Sequence, residues 1–115
     1  MQVGILITAA ATEAAASRCM ERISALLASP GRTLYRIFIY GDAVQMAKAS
    51  GNDEHSPWQR FADNYAGLIS VCAAAAHRRG VITDDNRTLA QGFSLAGLGD
   101  WVDMVAHCDQ IEHLK

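Results

Sequence analysis

The chain has 115 residues, 50% of them hydrophobic and 19% charged, a composition that suits one folded domain spanning residues 1–115 and excludes a disordered chain. Ten basic against twelve acidic residues give a net charge of -2, which offers no electrostatic footprint for direct nucleic-acid binding. Three cysteines with no C-x-x-C pair fit neither a disulfide framework nor a zinc knuckle, so free thiols in a reducing, cytoplasmic compartment are expected.

The start, "MQVGILITAAATEAAAS", lacks the basic region of a secretory signal and soon meets Glu13. No stretch approaches the roughly 18 uninterrupted apolar residues of a membrane span, so no membrane partner is expected. Residues 2–8 form an apolar, β-branched run that suits a buried first strand. Thr12 is placed as an N-cap, and Ala16, Cys19, Met20, Ile23, Leu26 and Leu27 repeat at helical spacing, with Arg18, Glu21 and Arg22 on the other face. Pro30-Gly31 closes that helix, and "TLYRIFIY" reads as a second strand ending at Tyr40.

Residues 41–56 are the least regular part, a loop with one helical turn capped by Asp42 and room for a lid. Ser56-Pro57-Trp58-Gln59 then supplies a cap, a proline at the first helical position and a glutamine placed to complete a capping box. Trp58, Phe61, Ala62, Tyr65 and Ala66 give the apolar stripe of the helix, which Gly67 ends.

"LISVC" is a third strand that passes at Cys72 into the short helix "AAAAHRR", with Gly80 after it. "FSL" is a fourth strand and Gly97-Leu98-Gly99 a turn. Leu98, Trp101, Val102, Val105 and Ala106 form the stripe of a last helix, and "QIEHL" is the fifth strand. Strands alternating with helices predict an α/β three-layer sandwich, a mainly parallel sheet covered on both faces. In such sheets the binding crevice lies beyond the carboxyl ends of the strands, where Tyr40-Gly41-Asp42, Cys72 and Gly97-Leu98-Gly99 all emerge.

A thiol where a strand enters a helix faces unpaired backbone amides, an arrangement that favours thiolate. The competing reading is that Cys72 is a small hydrophobe filling the strand end, and position alone favours it. Cys19 lies on a core stripe and reads as packing, while Cys108 ends a helix at its negative pole, which disfavours thiolate. His77, Arg78 and Arg79 stand about two turns from Cys72 and complement the end of their own helix. Gly97 and Gly99 give only G-x-G, with Val102 where a third dinucleotide-binding glycine would be. His107, Cys108 and His113 lack zinc-site spacing, and neither a G-x-S-x-G elbow nor a Walker sequence occurs.

The stretches "IFIYGDAV" (37–44), "VCAAAAHRRGV" (71–81) and "GFSLAGLGDWVD" (92–103), followed by "CDQIEHL", resemble the DsrE/TusD family of sulfur-relay proteins, in that family's order. The likeness covers most of the chain from residue 34 onward; before that it is one of pattern. It implies a DsrEFH-like, flavodoxin-like sandwich in which Cys72 carries a persulfide, and it reverses the order of the two readings of that cysteine. It further implies no cofactor or metal, hexameric assemblies of one chain type or with smaller relatives, and sulfur transfer to a small carrier with a C-terminal cysteine. The family includes relays for tRNA thiolation and for sulfur oxidation.

This chain is shorter than the family pattern after the first strand and at 45–56. Gly97 and Gly99 are further candidates, as amide donors to an anionic persulfide. Two other classes stay open. One is a non-catalytic interaction subunit of a sulfur-transfer complex. The other is a small flavin or nucleotide binder, supported by fold analogy alone.

Overall fold

The computed structural model describes residues 1–49 and 56–115. Strands β1 (Gln2–Ile7), β2 (Thr33–Ile39), β3 (Ile69–Cys72), β4 (Ser94–Ala96) and β5 (Gln110–Leu114) form one sheet in the order β4-β3-β2-β1-β5, every pair parallel. Between them run α1 (Glu13–Leu27), a 3₁₀ helix (Gly41–Ala47), α2 (Pro57–Asn64), α3 (Ala73–Arg78) and α4 (Leu98–His107). The alternation expected from the sequence is the one observed.

The strand order decides which helix covers which face. From β1 to β4 the chain steps one strand at a time in one direction, so right-handed crossovers place α1, α2 and α3 on one side. The last crossover returns across the sheet to put β5 beside β1, and the same handedness puts α4 on the opposite side. Gly4 confirms the placement, since its α-carbon faces Met104 and Cys108 of α4. Among the described residues no helix is long and apolar enough to cross a membrane.

Local signals account for most boundaries. Thr12 Oγ1 accepts from Ala15 N at 3.1 Å and caps α1, whose Ala16, Cys19, Ile23 and Leu26 are buried. Val3, Ile5 and Ile7 alternate into the core on the α1 side, and all four residues of β3 are buried. Ser56 Oγ accepts from Gln59 N at 3.1 Å, but the Gln59 amide donates to Asp63 Oδ1 and the Gln91 carbonyl, so only half of the expected capping box forms. The helix ends at Asn64, leaving Ala66 exposed beyond it.

Two expectations are corrected. Residues 41–47 are a 3₁₀ helix with Tyr40 at its N-cap, and Asp42 caps nothing; its Oδ1 accepts from Arg79 Nε at 2.8 Å. The remainder of the predicted loop includes residues 50–55, which lie outside the described residues. The apolar stripe of α4 does not face the sheet: Leu98, Val102 and Val105 are 60%, 63% and 50% exposed and Ala106 is exposed too, while Met104 is the buried residue and Trp101 packs partly against the core. Met104 and Trp101 make the inward contact, and the arc of Leu98, Val102 and Val105 is left outward.

Candidate functional site

Cys72 is both the last residue of β3 and the N-cap of α3, with extended backbone (φ -60°, ψ 114°) and no side-chain capping hydrogen bond. Its register partner on β4 is Ala96, which directly precedes Gly97, the N-cap of α4. The starts of α3 and α4 are thus neighbours at the carboxyl edge of the sheet, and neither N-cap residue makes a side-chain capping hydrogen bond. Cys72 as a residue is 2% exposed.

The direction of the thiol follows from strand alternation. Ser70, two residues earlier, reaches across to α4, so Ser70 and Cys72 share the α4 face while Ile69 and Val71 point to the other. The Ser70 hydroxyl accepts from Arg36 Nη1 at 2.8 Å and donates to Asp100 Oδ2 at 3.0 Å. Further along α4, Tyr35 OH donates to Asp103 Oδ2 at 2.6 Å and the Tyr35 ring stacks on His107. Sequence reasoning passed over Ser70, yet a lone hydroxyl in an otherwise apolar strand, at i-2 from the thiol, was a legible signal.

Beside Cys72, one strand over, lies an apolar pocket of about 220 Å³ lined by Leu6, Phe38, Tyr40, Leu98 and Trp101. Phe38 pairs with Ser70 and Ile39 with Val71, so Tyr40 stands at the level of Cys72. Cys72 itself is not among the lining residues. The pocket opens at the edge where the sequence placed Tyr40-Gly41-Asp42 and Gly97-Leu98-Gly99, and the structure brings these segments together there.

Gly97 has φ -93° and ψ 179°, a conformation open to any residue, and a Cβ on Gly97 or Gly99 would have nothing within 4 Å. Neither backbone geometry nor packing therefore requires glycine at these two positions. At the two other thiols the thiolate is disfavoured. Burial pushes the Cys19 thiol up, with Arg18 opposing, and burial followed by Asp109 and Asp103 pushes Cys108 up. Among the described residues no group of three or more His, Cys, Asp or Glu is placed to hold a metal ion.

A parallel five-stranded α/β sandwich with a thiol at a strand-to-helix joint is a scaffold that presents its chemistry at the carboxyl edge of the sheet. The chain belongs to the DsrE/DsrF-like family, which matches residues 1–111. It is 34% identical to a protein named Sulfurtransferase TusD from Cronobacter sakazakii, over 84% of this chain and 85% of that one. To the Sulfurtransferase TusD homolog of Vibrio parahaemolyticus it is 35% identical, over 70% and 72%. Among solved structures, the ychN protein from E. coli is similar with a TM-score of 0.72 at 17% identity, covering 99% of this chain and all of that one. MTH1491 from Methanobacterium thermoautotrophicum is similar with a TM-score of 0.64 at 14% identity, covering 97% of each. These two likenesses are of fold.

Proposed function

We propose that this chain is a cytoplasmic sulfur-relay subunit that takes up sulfane sulfur on Cys72 as a persulfide and passes it to a partner thiol. The observation that carries this reading is the placement of Cys72 at the β3–α3 joint, beside the uncapped start of α4, in a member of a family whose relatives are named sulfurtransferases.

The chemistry needs only thiols. Cys72 thiolate attacks the outer sulfur of a donor persulfide, the donor S–S bond breaks, and the donor thiolate leaves as Cys72-SSH forms. An acceptor thiolate then attacks the outer sulfur, the new S–S bond breaks, and Cys72 leaves as thiolate. The backbone amides at the start of α4, at Gly97 to Gly99, belong to a helix start whose N-cap makes no side-chain capping bond, and suit the stabilisation of an anionic persulfide. The acceptor that fits is a small carrier with a C-terminal cysteine, since a terminal thiol reaches a recessed partner most easily. The neighbouring apolar pocket suits side chains flanking that thiol. An oligomer accounts for the outward apolar arc of α4.

One observation favours a second reading. At 2% exposure Cys72 is also well placed as core packing, which suits a non-catalytic interaction subunit. Peptide mass analysis of the reduced protein after exposure to a persulfide donor, beside Cys72→Ser, separates the two. A gain of one sulfur on Cys72, reversed by reductant and lost in the variant, supports the carrier. No sulfur on Cys72 under conditions that load a known carrier assigns the chain to the interaction role.

A further inference from the structure

Ser70 is the polar side chain among the buried residues described, at 1% exposure. A guanidinium only donates and an ionised carboxylate only accepts, so the hydroxyl must receive Arg36 and point its own proton at Asp100. Arg36 Nη1 donates to Ser70, which donates to Asp100, so Ser70 bridges the cation and the carboxylate, while Arg36 Nε is buried with no hydrogen-bond partner among the described residues. Such a relay across β2, β3 and α4 differs from a solvent-screened surface pair.

The register of helix on strand carries the next step. α4 begins at the carboxyl edge and runs back along the sheet, antiparallel to β3. Two strand residues span about 6.6 Å and one helical turn about 5.4 Å. With Asp100 fixed on Ser70, the residue one turn earlier stands at the level of Cys72. That residue is Gly97, whose carbonyl accepts from Asp100 N at 3.1 Å and whose chain neighbour Ala96 pairs with Cys72.

We propose that Arg36, Ser70 and Asp100 form a pin that holds the first turn of α4 over the end of β3 and thereby limits access to the Cys72 thiol. All three are positioning residues, and their bearing on sulfur transfer rests on the reading of Cys72 as the carrier. Loading and discharge of the thiol then require the first turn of α4 to lift, and a partner that binds this turn would control the step.

The test measures the alkylation rate of each cysteine in reduced protein under limiting iodoacetamide, by peptide mass, in wild type, Ser70→Ala, Ser70→Thr and Asp100→Asn. Ser70→Ala is expected to raise the Cys72 rate about tenfold relative to Cys19 and Cys108, the effect of losing a hydrogen bond to a charged group. Ser70→Thr keeps the hydroxyl and should stay near wild type, while Asp100→Asn gives a smaller rise.

An unchanged Cys72 ratio in Ser70→Ala at unchanged Tm overturns the pin, as does an equal rise at all three cysteines or a Ser70→Thr that behaves like alanine. If Ser70→Ala does not fold, Asp100→Asn decides by the same ratio. The assay concerns the bare thiol, so failed persulfide uptake alongside the expected ratios refutes sulfur carriage and leaves the pin standing. Uptake with unchanged ratios does the reverse.

Discussion

Gly4 of β1 lies directly against Met104 of α4: a Cβ on Gly4 would fall 2.8 Å from Met104 Cγ and 2.9 Å from Met104 Sδ and Cys108 Sγ. The missing side chain lets α4 sit close on the sheet face that, among the described residues, it alone covers. Gly4→Ala overpacks this contact, and a cost of about 1–3 kcal/mol follows, lowering Tm by several degrees in a domain of this size. Thermal melts of the two proteins check it. The same variant should shift the near-ultraviolet signal of Trp101, which α4 carries over Phe38.

Gly97 and Gly99 allow stability to be separated from function. With open space around each added Cβ, Gly99→Ala should raise stability by up to about 1 kcal/mol through helix propensity, while Gly97→Ala puts a poor N-cap residue at the start of α4 and should lower it by up to about 1 kcal/mol. If these positions lie open so that a donor can approach the backbone, both variants lose sulfur uptake on Cys72 while remaining folded. Uptake at the wild-type rate would remove the two glycines from the site.

Alkaline stability tests the burial of Cys19. Its folded thiol is held above the ordinary value of 9.0, so the folded state keeps a proton that the unfolded state releases. The contribution is complete below the ordinary thiol value and is lost as pH rises beyond it. Cys108 acts in the same direction. Urea midpoints measured at pH 8 and pH 10 should fall in wild type and fall less in Cys19→Ala; parallel declines would show that Cys19 contributes nothing.

The Ser56 cap gives a local test. Its side chain accepts the Gln59 amide at the start of α2, and Ser56→Ala is expected to cost about 1 kcal/mol. A lower urea midpoint with an unchanged m-value is the outcome that fits loss of a cap.

The strands were legible because parallel strands buried on both faces read as short, largely apolar runs, and "QVGILI" after Gln2 and "ISVC" apart from Ser70 do so. The helix caps at Thr12 and Ser56 were legible from residue type and spacing. The orientation of α4 was not, because periodicity finds an apolar face without saying what covers it; Leu98, Val102 and Val105 formed the clearer stripe and point away from the sheet. The 3₁₀ helix at 41–47 was hidden because its alanines and Met46 are buried by the rest of the fold and lack helical periodicity. Of the edge segments, Cys72 was legible as a thiol at a strand-to-helix joint, but position alone favoured packing and only the family resemblance reversed that order. Its relation to Arg36, Ser70 and Asp100 depends on residues brought together from β2, β3 and α4, and no local pattern links them.

The placement of β5 beside β1 also shapes the birth of the molecule. Gln2 N donates to Asp109 Oδ2 at 2.8 Å and Asp109 N to the Gln2 carbonyl at 2.9 Å, contacts that join positions 107 apart in the chain. A ribosome adding about 5–20 residues per second delivers the second partner on the order of ten seconds after the first. Throughout that interval β1 offers an unpaired apolar edge, the kind of surface that holdase chaperones bind and that recruits like strands from neighbouring nascent chains. Pairing with β5 closes that edge, and slower synthesis at low temperature prolongs the exposure even as it weakens hydrophobic association.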